Sequence, residues 1–199
     1  MATENDRLAL LRRALDQTGE LIAGTRREQA DQPTPCRSWT VGDLIGHLVI
    51  DLDNFSARVT GSAPDWSRAA EVGDDWVGAF ASGRELLDAA WASADLQSEL
   101  PAMGGGTAPV LSRADQQIAE LAVHGWDLAR ATGQSEDLDA AVGEHGLRWA
   151  KQNLSTQFRG SEDEGKVFGE EVPVPDGAPV YERLAGWFGR DPAWSRDAA

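Results

Sequence analysis

The strongest constraint on the fold is a segment of helical length, residues 112–132, whose apolar side chains point in almost every direction around the helix axis. At about 100° per residue, apolar residues occupy most directions and leave one narrow polar stripe; they include Ile118, Leu121, Trp126 and Leu128. A helix that is apolar nearly all round is usually buried. The rest of the chain must therefore fold around this segment and cover it.

Four further segments are predicted to supply that cover, because apolar residues recur in them at three- and four-residue intervals. These helices span about 4–29, about 40–59, about 70–94 and about 137–156. The stretch 95–111 contains PAMGGGTAP and is predicted to be a long irregular connection, and the tail from about 157 combines an extended stretch with a short helix within 180–189. We expect an all-α fold with one domain over residues 1–199, a four-helix bundle with an extra helix and a short extended C-terminal tail.

Capping residues mark the predicted starts of three helices. Thr40 with Asp43, and Ser112 with Asp115, have the spacing of a capping box, in which each residue bonds to the backbone of the other. Ser135 is predicted to cap the helix at 137–156.

The charge balance argues against several classes of partner. A formal net charge of −15 at pH 7 leaves little basic surface for the phosphates of nucleic acids or for an anionic membrane, and no apolar run is long enough to span a bilayer. The single cysteine, Cys36, excludes an intramolecular disulfide framework, and the first residues lack the pattern of a signal peptide. We expect a cytoplasmic protein that binds neither nucleic acid nor membrane, and the sequence leaves a homodimer open.

The polar stripe of the 112–132 segment carries a carboxylate and an imidazole one turn apart, Glu120 and His124. On the 40–59 segment, His47 borders the apolar side that faces the core. Two histidines and one carboxylate would hold Zn²⁺, Fe²⁺, Ni²⁺ or Mn²⁺ and leave positions open for water or substrate. The same spacing fits a plain Glu120–His124 ion pair with His47 as a core histidine, and from spacing alone this simpler interpretation is favoured.

Three stretches resemble a known family: TPCRSWTVGDLIGHL (34–48), ELAVHGWDLARATGQ (120–134) and FGEEVPVPDGAPVYERLAGWFGRDPAW (168–194). They are similar to the actinobacterial metal-binding proteins related to mycothiol-dependent maleylpyruvate isomerase, in the DinB/YfiT-like superfamily of four-helix bundles. The resemblance spans nearly the whole chain. It implies that a divalent transition metal, zinc by preference with nickel, iron or manganese as alternatives, is held by His47, Glu120 and His124.

The resemblance also implies a cosubstrate and a type of reaction. A thiol that binds a metal loses its proton, so mycothiol would become a nucleophile towards an electrophilic small molecule. The isomerase of the family has an additional C-terminal domain that contributes to catalysis, whereas this chain has a short tail, so the resemblance favours a mycothiol-dependent S-transferase over an isomerase of maleylpyruvate. Two alternatives remain: a hydrolase in which the metal activates water, and a protein that binds metal or a small ligand without turnover.

Residues close to the three predicted ligands receive supporting roles. Asp51 and Asp127 are predicted to orient the ligating imidazoles, or else to be surface caps or a local ion pair with Arg130. Trp39, Trp126 and Arg130 are predicted to line a pocket beside the metal.

Two other side chains with reactive groups receive no role in the site. Cys36 precedes the second helix and is interpreted as a packed small residue, with a nucleophile as the alternative. His145, on the 137–156 segment, is predicted to face solvent.

Overall fold

The elements of the fold follow from a computed structural model that describes residues 3–65, 72–102, 105–154, 159–161, 164, 166 and 168–196. Within these ranges the helices are α1 (Glu4–Ala23), α2 (Val41–Val59), α3 (Trp76–Ser93), α4 (Ser112–Thr132), α5 (Ala140–Asn153) and α6 (Val180–Trp187), with a 3₁₀ turn at Arg27–Gln29 and strands β1 (Glu99–Pro101) and β2 (Thr107–Pro109). The predicted all-α class is confirmed. None of these helices combines the length and the apolar character that crossing a bilayer requires.

Helices α1 to α4 form a four-helix bundle. α4 packs against α1 and α2, while α3 packs against the other sides of the same two helices. α5 lies on the outside of α4 as the predicted extra helix, and α6 packs mainly on α5. The arrangement matches the predicted architecture, including the short helix in the tail.

α4 is buried on most of its surface, as its apolar pattern predicts. Ile118, Ala122 and Leu128 are fully buried, and the polar Gln117 and Asp127 are buried with them. The helix ends where it was predicted to end, at Gly133, whose φ of 71° lies in the left-handed region that glycine adopts without strain. The burial removes most polar side chains of α4 from bulk water, so that a hydrogen bond for any of them must come from inside the protein.

The predicted capping box of α2 is confirmed, whereas that of α4 is wrong. The Thr40 N–H donates to Asp43 Oδ2 at 2.9 Å, and the Asp43 N–H donates to Thr40 Oγ1 at 3.2 Å. Ser112 makes no such cap, because α4 begins after Leu111 and Asp115 turns to Arg7 and to His145, at 3.1 and 3.0 Å. His145 was predicted to face solvent and is instead half-buried in this ion pair.

Two helix boundaries also differ from the prediction. α1 ends at Ala23, because Gly24 closes it and the chain continues into the 3₁₀ turn instead of reaching residue 29. α5 begins at Ala140, where the side chain of Asp139 accepts from the Ala141 N–H at 3.0 Å, while Ser135 accepts from the Asp137 N–H within the preceding turn. α3 begins at Trp76, later than the predicted start at about residue 70, and the described residues 72–75 are not helical. The predicted end of the 137–156 helix lies outside the described residues, and α5 ends at Asn153.

The connection between α3 and α4 contains a hairpin that the sequence did not predict. Leu100 pairs with Ala108 in an antiparallel register. The Arg113 guanidinium donates to the carbonyl oxygens of Leu100 and Pro101, at 3.3 and 2.6 Å, and so fastens the first strand to α4. Strands of three residues are too short to show a clear alternation of apolar and polar residues, which is why the pattern was missed.

We expect Thr40→Ala to lower the free energy of unfolding by about 1 kcal/mol, because it removes the side-chain acceptor at the start of α2. Urea unfolding followed by circular dichroism measures this change. Ser112→Ala is the matched control, and its cost should stay below about 0.5 kcal/mol because Ser112 caps no helix. Equal costs for the two variants would contradict the assignment of the caps.

Candidate metal centre

α2 and α4 bring three metal-ligating side chains together. His47 comes from α2, and Glu120 and His124 lie one turn apart on α4; each offers a ligand atom within 4.8 Å of the ligand atoms of the other two. The imidazole rings of His47 and His124 meet edge to face with centroids 4.9 Å apart. These are the three residues predicted as ligands.

The chemistry of this cluster suits a divalent transition metal. His47 Nε2 is buried and makes no hydrogen bond among the described residues, although Asp51 Oδ2 lies 3.3 Å from it. Burial lowers the pKa of His47 to about 3, with the positive charges of His124 and Arg190 adding to the effect, so the imidazole is neutral and keeps its lone pair. Two imidazoles and a carboxylate are ligands that Zn²⁺ and its neighbours in the first transition row accept.

A buried chain of contacts fixes the orientation of His124. Its Nδ1 lies 3.1 Å from Oδ2 of Asp127, whose side chain is 0% exposed. An ionised carboxylate can only accept, so Nδ1 carries the proton and Nε2 faces Glu120, with 3.7 Å between Nε2 and Oε2. Asp127 thus contacts the imidazole that it was predicted to orient, and its orienting role stays a prediction.

The positive charge that balances Asp127 comes from Arg190, after the end of α6. Arg190 donates from its terminal nitrogen to Asp127 Oδ2 at 3.0 Å and from Nε to both carboxylate oxygens at 3.3 Å. Burial alone would raise the pKa of Asp127, but Arg190 and His124 hold it below its ordinary value. Burial likewise acts to lower the pKa of Arg190, and the Asp127 charge raises it above the ordinary value.

Arg190 is the residue that the sequence interpretation missed. It stands in the FGRDPAW stretch and is 63 positions away from Asp127, beyond the reach of any helical pattern. The predicted alternative, an ion pair between Asp127 and Arg130, is wrong: Arg130 binds Glu136 at 2.9 Å and the Pro192 carbonyl at 2.6 Å.

Asp51 lies beside the other histidine. Its Oδ2 is 3.3 Å from His47 Nε2, one helical turn away on α2. Burial raises the pKa of Asp51 well above its ordinary value, and the negative charge of Glu120 raises it further. The structure therefore brings both predicted orienting carboxylates next to the predicted ligands.

Of the three predicted pocket residues, the structure places Trp39 at the cluster. The Trp39 ring lies 4.5 Å from that of His47 and is stacked 5.5 Å from that of His124, measured between centroids. Trp126 is turned about 120° from Glu120 around α4 and is buried in the core, with the Arg130 guanidinium 5.4 Å from its ring. Trp126 and Arg130 therefore face the C-terminal segment around Pro192 instead of the cluster.

The loop before α2 that carries Trp39 also brings Cys36 towards the site. Thr34 Oγ1 accepts from the Cys36 N–H at 3.1 Å and holds the backbone of this loop. Cys36 is half-buried, and its thiol is near enough to Arg190 for a negative charge there to raise the pKa of the arginine. The role of Cys36 stays a prediction.

Comparisons with known proteins place these observations in a family context. The sequence profile of the family described as "Mycothiol maleylpyruvate isomerase N-terminal domain" matches residues 11–129. Uncharacterised proteins from two strains of Mycobacterium tuberculosis, CDC 1551 / Oshkosh and H37Rv, are each 31% identical over 185 residues, which is 93% of this chain and 98% of theirs.

Solved structures show the same fold. The crystal structure of the mycothiol-dependent maleylpyruvate isomerase superposes with a TM-score of 0.62 at 15% identity, covering 86% of this chain and 75% of that one. A histidine-to-alanine mutant of that isomerase gives a TM-score of 0.61 at 14% identity over the same shares. The bundle of α1 to α4 is thus the DinB-like helical fold.

We expect Arg190→Met to lower the free energy of unfolding by about 3 kcal/mol or more, because it leaves the buried Asp127 carboxylate without its cation. Chemical denaturation measures the change. Arg13→Met is a matched control, since Arg13 pairs with Asp139 at the surface, and its cost should be about 1 kcal/mol or less. Equal losses in the two variants would contradict a central role for the Arg190–Asp127 pair.

Proposed function

Because the chain belongs to the mycothiol maleylpyruvate isomerase N-terminal domain family, we propose that it is a metal-dependent S-transferase that joins the thiol of mycothiol to an electrophilic small molecule. One observation carries the proposal: His47, Glu120 and His124 present their ligand atoms within 4.8 Å of one another from two facing helices. Transfer needs a thiolate and an electrophile at one centre, and a cation held by three protein ligands has a position left for the thiol.

In the proposed enzyme, His47, Glu120 and His124 hold a divalent transition metal, zinc by preference. Structural zinc sites usually have four protein ligands, whereas three leave a position for a substrate. A bound cation of this kind lowers the pKa of a thiol that coordinates it, which supplies a thiolate at neutral pH.

The side chains around the ligands keep them in place for this task. Asp127 accepts from Nδ1 of His124 and so directs Nε2 towards Glu120. Arg190 keeps Asp127 ionised in the core. Trp39 covers the imidazoles of His47 and His124 on one side and excludes water from it.

The transfer balances in atoms and charge. A carbon–sulfur bond forms between mycothiol and the electrophile, and the thiol proton is released. In an addition that proton ends on the electrophile's skeleton, and in a displacement it balances the charge of the leaving group. Neither course requires an oxidant or a reductant.

We expect the untagged protein to contain about one transition-metal ion per chain, and His47→Ala and Glu120→Ala to lose it. Plasma mass spectrometry on the purified proteins measures the stoichiometry. His145→Ala removes the third histidine, which pairs with Asp115 away from the cluster, and should keep the metal. A wild type that stays free of metal after reconstitution would refute the proposal.

We expect the wild type to accelerate the conjugation of mycothiol with a chromogenic alkylating compound, and Glu120→Ala to lose at least about a hundredfold in kcat/KM, in keeping with the loss of a metal ligand. The reaction is followed as the disappearance of free thiol, which is measured with a colorimetric thiol reagent. Hydrolysis of an ester or amide that proceeds without any thiol would instead favour a hydrolase at the same site.

A further inference from the structure

The polar residues of α2 and α4 follow the same order on both helices, starting from the metal cluster. On α2 the order is His47, Asp51, Asn54 and Arg58, and on α4, read backwards along the chain, it is His124, Glu120, Gln117 and Arg113. Both series step by four, three and four residues, which confines each of them to a stripe about 60° wide on its helix. These eight residues are called the polar seam below.

Contacts at the two ends show that the series face each other. At one end the rings of His47 and His124 are 4.9 Å apart. At the other end Arg58 donates to Gln116 Oε1 at 2.9 Å, and burial together with the nearby charge of Arg113 lowers the pKa of Arg58 to about 10. α2 and α4 are therefore antiparallel, and the seam consists of four layers: imidazole, carboxylate, amide and guanidinium.

The amide and guanidinium layers contain buried hydrogen-bonding atoms without partners. Gln117 is 1% exposed, and Asn54 and Arg113 are each 4% exposed. Among the described residues, nothing bonds to Gln117 Nε2 and Oε1, to Asn54 Nδ2 or to Arg113 Nε. Three of these four atoms are nitrogens that donate, so a ligand that pairs them must mainly supply hydrogen-bond acceptors. Buried donors are rarely left unpaired in folded proteins.

The charge of Arg113 shows the same lack. The other nitrogens of Arg113 bind neutral oxygens, those of Ser112, Leu100 and Pro101. Within the described part of the chain, Arg113 has no carboxylate at ion-pair distance, and the neighbouring Arg58 repels it. A carboxylate offers two oxygens with about four lone pairs, and it binds guanidinium and amide N–H groups in one plane.

We propose that Asn54, Arg58, Arg113 and Gln117 bind the carboxylate of a small-molecule ligand, about two helical turns, or about 10 Å, from the metal cluster. The seam reaches solvent at its other end, where the side chains of His47 and Glu120 are 26% and 16% exposed. A ligand whose carboxylate binds these four residues would extend along the seam, so that its other end lies beside the metal cluster. That this ligand is the electrophile rests on the proposed function, whereas the carboxylate site itself does not.

Titration of succinate into the purified, metal-containing protein tests the proposal, with inorganic phosphate as the second anion. We expect saturable binding of succinate that shifts the side-chain amide resonances of Asn54 and Gln117 in ¹⁵N-labelled protein, and phosphate affinity at least about tenfold weaker. Gln117→Leu should weaken succinate binding at least about tenfold without lowering Tm, because it removes a donor and leaves no additional polar atom unpaired. Gln152→Leu, at an exposed glutamine of α5, should leave the affinity unchanged.

A second variant covers the case in which leucine disturbs the core. Gln117→Glu places a carboxylate against the guanidinium layer from within the protein, so it should raise Tm and abolish the binding of succinate. Absence of saturable binding in the wild type, or succinate affinity that Gln117→Leu leaves unchanged, would overturn the proposal. Phosphate binding as tight as succinate would overturn its assignment to carboxylates.

The same titration on protein treated with a chelator separates this proposal from the proposed function. If the chelator-treated protein binds succinate but takes up no metal on reconstitution, the carboxylate site is supported and the S-transferase proposal fails. If the protein binds metal and transfers the thiol but does not bind succinate, the carboxylate proposal fails and the S-transferase proposal stands.

Discussion

The burial of α4 on most of its surface is the constraint on which the rest of the structure depends. A helix in contact with α1, α2, α5 and α6 cannot leave its polar stripe in bulk water. Polar residues on that stripe are stabilised by partners on other elements, and the chain of contacts from His124 through Asp127 to Arg190 is one result. The candidate metal centre is the part of the stripe that lies nearest the surface, where Glu120 keeps some contact with solvent.

The parts of the site that lie on single helices could be predicted from the sequence. Glu120, His124 and Asp127 share one face of α4 because of helical spacing, and His47 borders the core because of the apolar residues around it. Arg190 could not be predicted, because its contact with Asp127 depends on how the segment after α6 returns to the bundle. The prediction of the Ser112 cap was wrong for a related reason, since Asp115 pairs with Arg7 and His145, which lie on other helices far away in the sequence.

The family assignment and the geometry support the function through separate routes. The family profile covers residues 11–129, which include every residue of the metal cluster and of the polar seam. Arg190 lies outside that range and yet completes the support of His124. The predicted metal ligands and the arginine that supports one of them are thus contributed by different parts of the chain.

The position of Arg190 has a consequence for how the protein matures during synthesis. A ribosome releases the chain from the N-terminus onwards, so α1 to α4 can assemble while the last segment is still being made. In that nascent bundle Asp127 would be in the core without its cation, and His124 would lack a fixed tautomer. The candidate metal centre therefore gains the pair that orients His124 only after the segment that follows α6 has been synthesised and has docked on the bundle.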